Sequence, residues 1–153
     1  MKRRTKSLLA AGCLVAAAAG GLTWWSLGRT QAIHAEVRTA AMEQAESAAP
    51  GGILQVQELL SAPVTQSGLT MHRAAYYPEA QALVCFTSGK DMFRDIYLTD
   101  LPDCNGTSFP DAYGISFEVF EPVPAQALAG GIVYELTDAQ FESSNPVTFA
   151  LKG

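Results

Sequence analysis

The feature that most limits what this chain can fold into is an uncharged, apolar run near its N-terminus. Between Leu8 and Leu27 there is no Asp, Glu, Lys or Arg over twenty residues. A helix of that length measures about 30 Å and matches the hydrocarbon core of a bilayer. Four basic residues and no acidic residue precede the run: Lys2, Arg3, Arg4 and Lys6. Because basic residues stay on the cytoplasmic side, we predict that everything after Gly28 faces outward.

Two tryptophans, Trp24 and Trp25, lie where this predicted helix would leave the bilayer. Tryptophan is enriched at the membrane interface because its amphipathic ring suits the headgroup level, so we predict that both are membrane-interface residues. The apolar run from Leu8 to Trp25 is also longer than the hydrophobic region of a signal peptide, about 7–15 residues. The sequence therefore favours a retained signal-anchor in a bacterial inner membrane, with the C-terminal domain in the periplasm or outside.

Two other fates of the N-terminal segment stay open. Ser26–Gly28 and Thr30–Ala32 both fit the small-x-small pattern of a signal-peptide cleavage site, and cleavage at either would release a secreted domain. Leu9–Cys13 resembles the lipobox of bacterial lipoproteins, which implies a lipid on Cys13. Each alternative, like the anchor, takes the rest of the chain out of the cytoplasm.

Residues 29–50 are rich in Ala, Glu and Gln, which favour helix, and we predict a helical stalk or linker there. Pro50-Gly51-Gly52 should end it, because proline cannot continue the helical hydrogen bonds and glycine adds backbone freedom. We therefore expect three segments: residues 1–28 as signal-anchor or signal peptide, 29–50 as stalk, and 51–153 as a β-rich extracytoplasmic domain that folds on its own.

After Gly52 the spacing of apolar residues changes to a period near two, which is typical of strands. The clearest case is Ile115–Glu121, where Ile115, Phe117 and Val119 share one face. Similar runs occur at Leu54–Leu60, Leu69–Tyr77, Ala82–Thr87, Ile132–Leu136 and Val147–Leu151. Asp91–Thr99 fits a helix and a strand equally well. The pattern predicts an all-β or β-rich α+β fold, with a small antiparallel β-sandwich or a barrel-like domain.

The exported part of the chain contains two cysteines, Cys85 and Cys104. An even number of cysteines in an oxidising compartment predicts a disulfide. Such a bond would stabilise a small domain by about 3 kcal/mol. The alternative is a pair of buried free thiols.

The charge of the exported part limits its partners. After Gly28 the chain has six basic and all fifteen acidic residues. Binding to the phosphate backbone needs clustered Lys and Arg, so this balance argues against a nucleic-acid partner.

No motif indicates a cofactor or a metal. Ser88-Gly89-Lys90 resembles the end of a phosphate-binding loop, but Val84 replaces the first glycine. Asp103–Gly106 resembles part of a calcium loop, but Leu101 occupies the first ligand position. We therefore predict no bound cofactor, no metal site and no recognisable catalytic motif.

These observations favour a membrane-tethered, non-enzymatic binding or assembly module of the cell envelope, with another envelope protein as its partner. Adjacent Tyr76 and Tyr77 must point to opposite faces of a strand, so one of them is a candidate partner contact, since tyrosine is enriched at interfaces. Two alternatives stay open. The first is a small hydrolase whose site forms around His72 with an acid from residues 100–111, and the second is a ligand-binding β-barrel with an apolar cavity.

Overall fold

The computed structural model describes residues 22–89, 93–110, 113–137 and 144–152. The chain divides into two compact units, Met1–Ala35 and Glu36–Gly153. In the first unit, residues 22–33 form a helix, α1. Among the described residues, no helix combines the length and the apolar character that crossing a membrane requires. Most of the predicted span, Leu8–Leu27, lies outside the described residues.

The predicted stalk, residues 29–50, includes the end of α1 and a second helix. The second helix, α2 (Ala40–Ala48), begins after Thr39, whose hydroxyl accepts a hydrogen bond from the Met42 amide at 3.2 Å. This N-cap satisfies an amide that has no partner within the helix. The same hydroxyl donates to Glu121 at 2.8 Å, and Met42 is only 1% exposed. α2 thus belongs to the compact unit that contains the sheets.

Within the described residues, ten strands form two antiparallel sheets, which confirms the predicted β-rich architecture. The first sheet has the order β1-β3-β4-β8-β7, with β2 also paired to β3. Its strands are β1 (Gln57–Glu58), β2 (Val64–Gln66), β3 (Leu69–Tyr77), β4 (Ala82–Ser88), β7 (Thr107–Pro110) and β8 (Ser116–Phe120). The second sheet has the order β10-β9-β5-β6. Its strands are β5 (Phe93–Leu98), β6 (Leu101–Asn105), β9 (Ile132–Thr137) and β10 (Ser144–Phe149).

The two sheets share one hydrophobic core, as in a β-sandwich. Large, fully buried side chains come from both sheets, among them Tyr76 and Phe120 from the first and Tyr134 and Phe149 from the second. The rings of Tyr134 and Phe149 meet edge to face, with centroids 5.7 Å apart. Side chains of this size occupy the core between the two sheets.

The chain crosses from the second sheet to the first between β6 and β7. Gly106 is the crossing residue, and its amide donates to the Ile96 carbonyl at 2.8 Å. A Cβ atom at this position would lie 2.6 Å from the Phe120 ring, so only glycine fits here. At Gly106 the backbone therefore comes close to the core.

The longest predicted strand, Leu69–Tyr77, matches β3 in both of its ends. Leu54–Leu60 contains only the two-residue strand β1. The described part of Asp91–Thr99 is a strand, β5, and not a helix. Pairing with β9 explains this outcome, because it places Ile96 and Leu98 in the shared core.

Candidate functional site

A carboxyl group, Glu118 of β8, is buried between the two sheets. It shares a strand face with Phe120 of the core, because residues two apart on a strand point the same way. The Thr87 hydroxyl donates to its Oε1 at 2.8 Å and the Tyr134 hydroxyl to its Oε2 at 3.2 Å. The Ser108 side chain also hydrogen-bonds it. Tyr134 belongs to the second sheet, so this carboxyl group connects the two sheets.

The environment of Glu118 makes it titrate near neutral pH. Burial raises the pKa of Glu118 from 4.5 to about 7, and the hydrogen bonds from Thr87, Tyr134 and Ser108 oppose that rise. Burial also raises the pKa of the Cys85 thiol and of Tyr134, and the negative charge of Glu118 adds to both effects. The carboxyl group therefore changes charge in a range where its titratable neighbours stay neutral.

The sequence pattern did not indicate Glu118 as a site residue. The alternation of Ile115, Phe117 and Val119 indicated an apolar core face and left Glu118 on the solvent side. In the structure Phe117 and Val119 do share a face of β8, but that face points away from the shared core, into which Phe120 packs. We call the face of the first sheet that points away from the second sheet the outer face. Because Phe120 makes the second face of β8 apolar as well, the local sequence could not decide which face is inside.

A serine and a histidine meet on the outer face. β3 has a bulge between Met71 and Arg73, and His72 is its extra residue. A bulge redirects side chains, and here the His72 Nε2 lies 2.7 Å from the Ser88 Oγ, with both residues half-buried. His72 is the candidate base predicted from the sequence, but nothing in the sequence pairs it with Ser88.

The acids predicted to assist His72 lie elsewhere or are not described. Asp100 is in the turn between β5 and β6 of the second sheet, beside Gly130, whereas His72 is on the outer face of the first sheet. Asp103 lies on β6 of the second sheet. Asp111 falls outside the described residues.

An aromatic row crosses the same outer face. The Arg73 guanidinium pairs with the Glu58 carboxylate at 2.6 Å and stacks over the Phe86 ring, 5.5 Å from its centroid. Phe117 follows at 6.3 Å from Phe86, and Phe109 stacks on Phe117 at 5.0 Å. Phe109 is 42% exposed and lies on β7, at the edge of the sheet.

The adjacent tyrosines of β3 have different environments. Tyr76 is buried in the shared core and its hydroxyl donates to the Val123 carbonyl at 2.8 Å. Tyr77 points to the opposite face and is half-buried. Of the two candidate partner contacts, Tyr77 is the one that a partner can reach.

A small cleft adjoins Tyr77. Its volume is about 150 Å³. Ile53 on its rim is 74% exposed. Arg38 is ion-paired there with Glu36, at 2.7 Å, and with Glu46. The complete lining is Glu36, Val37, Arg38, Met42, Glu46, Gly52, Ile53, Leu54 and Tyr77.

The predicted disulfide is absent from the structure. Cys85 and Cys104, both within the described part of the chain, are free thiols and are not within disulfide distance. Cys85 is on the core face of β4 in the first sheet. Cys104 is on β6 at the edge of the second sheet, with its Sγ 3.8 Å from the Pro122 carbonyl. The even count of cysteines could not show that the fold assigns them to different sheets.

The predicted interface tryptophans lie on α1. Trp24 is 72% exposed and Trp25 is 46% exposed. Leu22 and Leu27 on the same helix are exposed as well. Four large apolar side chains on one short helix are thus accessible in the absence of a bilayer.

Comparison with protein-family models, with curated proteins and with solved structures finds no match to this chain. Among the described residues, no group of three or more His, Cys, Asp or Glu side chains is placed to hold a metal ion.

Proposed function

We propose that this chain is a membrane-tethered, extracytoplasmic binding or assembly module of the cell envelope, and that the cleft at Tyr77 binds another envelope protein. The cleft is the observation that best supports this proposal. It combines a half-buried tyrosine with an exposed aliphatic side chain, Ile53, at the junction of α2 and the end of β3. Tyrosine and accessible apolar groups are typical of protein interfaces.

The size of the cleft favours a protein partner over a small molecule. Sites for small ligands and cofactors measure about 300–1,000 Å³. The cleft, at about 150 Å³, is smaller than that range. A pocket of this size fits one inserted side chain, with most of the contact made around its rim.

Charge indicates what kind of partner fits. Arg38 is shared between Glu36 and Glu46, so the charged groups of the cleft carry one more negative than positive charge. The chain after Gly28 is acidic as well. A partner that inserts an apolar side chain and places a Lys or Arg beside Glu36 would complement both features.

The exposed side chains of α1 support the tether. Leu22, Trp24, Trp25 and Leu27 are accessible. Removing apolar surface from water is worth about 25 cal/mol per Å², and a bilayer would remove it from this helix. Their positions, directly after the uncharged residues 8–21, are those that a membrane interface would occupy.

Site-specific crosslinking tests the cleft. A photo-reactive amino acid at Ile53 of the full chain, expressed in its native membranes, should form a discrete adduct with one protein. The same amino acid at Val64, an exposed apolar residue of β2 outside the cleft, is the matched control. Tyr77→Ala should remove the Ile53 adduct. Equal adducts at both positions, or an Ile53 adduct that survives Tyr77→Ala, would exclude the cleft as the contact.

A reporter fusion tests the location. An enzyme that is active only outside the cytoplasm, fused after Gly153, should be active. If it is inactive while a cytoplasmic reporter at the same junction is active, the proposed topology fails.

A second candidate function, a small hydrolase, is favoured by one observation, the 2.7 Å contact between Ser88 and His72. Hydrogen-bond contact between a serine and a base is one of the features of an activated nucleophile. Ser88 Oγ would attack an ester carbonyl while its proton moves to His72 Nε2. The leaving alcohol would then take that proton, and water would hydrolyse the acyl-serine.

A fluorophosphonate probe tests this candidate in the full chain. Labelling should require both side chains, so Ser88→Ala and His72→Ala should abolish it, while Thr70→Val, at the position paired with Ser88 on β3, should not. If the wild type is not labelled, or if Ser88→Ala is labelled equally, Ser88 is not a nucleophile.

A further inference from the structure

We infer that Glu118 is a proton-binding control on the sandwich: the packing of the two sheets is more stable when this buried carboxyl group carries a proton than when it is ionised. This inference is independent of the cleft and of its partner. It depends on the position of Glu118 and on the groups around it.

The geometry places one ionisable carboxyl group among neutral neighbours. Glu118 is fully buried. The titratable groups that act on it among the described residues are Cys85 of β4 and Tyr134 of β9, and both stay neutral because burial raises their pKa values. β4 and β7 contribute the hydroxyls of Thr87 and Ser108. Among the described residues no cation pairs with Glu118, and hydroxyl donors stabilise its charged form.

The hydroxyl cluster can accommodate both protonation states. An ionised carboxylate only accepts hydrogen bonds, and the hydroxyls of Thr87, Tyr134 and Ser108 can all donate. A protonated carboxyl group donates one hydrogen bond, and a hydroxyl can turn to accept it. The two states then differ mainly in the free energy of a charge held away from water.

The direction of the pH dependence follows from the pKa values. Glu118 has a pKa of about 7 in the folded chain and an ordinary value of 4.5. Between pH 4.5 and about pH 7, Glu118 is protonated in the folded chain and ionised in the unfolded chain. The equilibrium constant of unfolding therefore rises with pH, by up to about tenfold per pH unit, and this contribution levels off above the folded pKa.

Urea unfolding of the full chain, followed by circular dichroism from pH 5 to pH 8, tests the inference. The unfolding constant of the wild type should rise at least tenfold more between pH 5 and pH 7 than that of Glu118→Gln, which is nearly isosteric and cannot ionise. Glu135→Gln, which removes a half-buried carboxyl group on β9, is the matched control and should keep the wild-type dependence. Parallel pH profiles of the wild type and Glu118→Gln would overturn the inference.

A direct titration covers the case in which Glu118→Gln does not fold. In the full chain with ¹³C-labelled glutamate, the Glu118 carboxyl signal should titrate with a midpoint near 7. Thr87→Val removes a donor that lowers the pKa, so it should move the midpoint to higher pH. A wild-type midpoint near 4.5 would overturn the inference.

Discussion

Cys85 and Cys104 differ in how far their side chains are exposed to solvent. Cys85 is fully buried on the core face of β4, and burial raises the pKa of its thiol, with a further contribution from the charge of Glu118. Cys104 is only partly buried, although burial raises its pKa as well. Since the thiolate is the reactive form, the two residues should react with thiol reagents at very different rates.

We predict that Cys104 of the native full chain reacts with a maleimide and that Cys85 reacts only after unfolding. The experiment uses the Cys13→Ser background, so that mass spectrometry reports these two thiols alone. Chain extracted without reductant should show the same pattern. The contrary outcome is that neither thiol reacts in urea without reductant, while both react after reduction. That result would show that Cys85 and Cys104 form a disulfide in the cell, and it would contradict the two free thiols of the structure.

At the scale of single elements, the apolar runs of the sequence predict some strands and miss others. The predicted runs Leu69–Tyr77, Ile132–Leu136 and Ile115–Glu121 correspond to β3, β9 and β8. No predicted run covers β2, β6 or β7, which have three to five residues each. Each of them pairs with the strand next to it in the sequence, β3, β5 and β8 respectively, and that backbone pairing defines it rather than an apolar face of its own.

The candidate sites also depend on how the strands pair, which the sequence does not show. Ser88 and His72 are both visible in the sequence, but only the β3–β4 register and the bulge at His72 bring their side chains together. The cleft needs α2 and the turn Pro50–Gly52 beside the end of β3. Strand alternation did establish that Tyr76 and Tyr77 point to opposite faces, yet it could not say which one is buried.

The N-cap of α2 yields a prediction at this scale. Thr39→Ala should destabilise the folded unit by about 1 kcal/mol or more, because it removes the acceptor for the Met42 amide and the donor to Glu121. Ser47→Ala is the control: its hydroxyl donates to the Gln44 carbonyl on the exposed side of α2, and its loss should have little effect. Urea unfolding measures both. Equal stability of Thr39→Ala and the wild type would show that α2 is not coupled to the sheets.

At the scale of the whole molecule, α2 has two roles. It contributes the buried Met42 to the unit that contains the sheets. It also supplies Met42 and Glu46 to the lining of the cleft, while Arg38 just before it holds two carboxylates in place. The proposed contact surface and the stability of the unit therefore depend on the same short helix, which the sequence analysis placed in the stalk.

This dependence predicts where the autonomous folding unit begins. The change of period at Pro50 suggested that Gly51–Gly153 folds alone, whereas the compact unit of the structure begins at Glu36. Removing residues 36–50 deletes the 1%-exposed Met42 side chain, and emptying a site of that size costs about 2–5 kcal/mol. Small domains have only about 5–15 kcal/mol of stability in total. The fragment Glu36–Gly153 should therefore unfold cooperatively in urea, with a β-type circular dichroism spectrum, and Gly51–Gly153 should be at least about 2 kcal/mol less stable. Equal stability of the two fragments would place the boundary at Gly51 and would mean that α2 lies on the sheets without stabilising them.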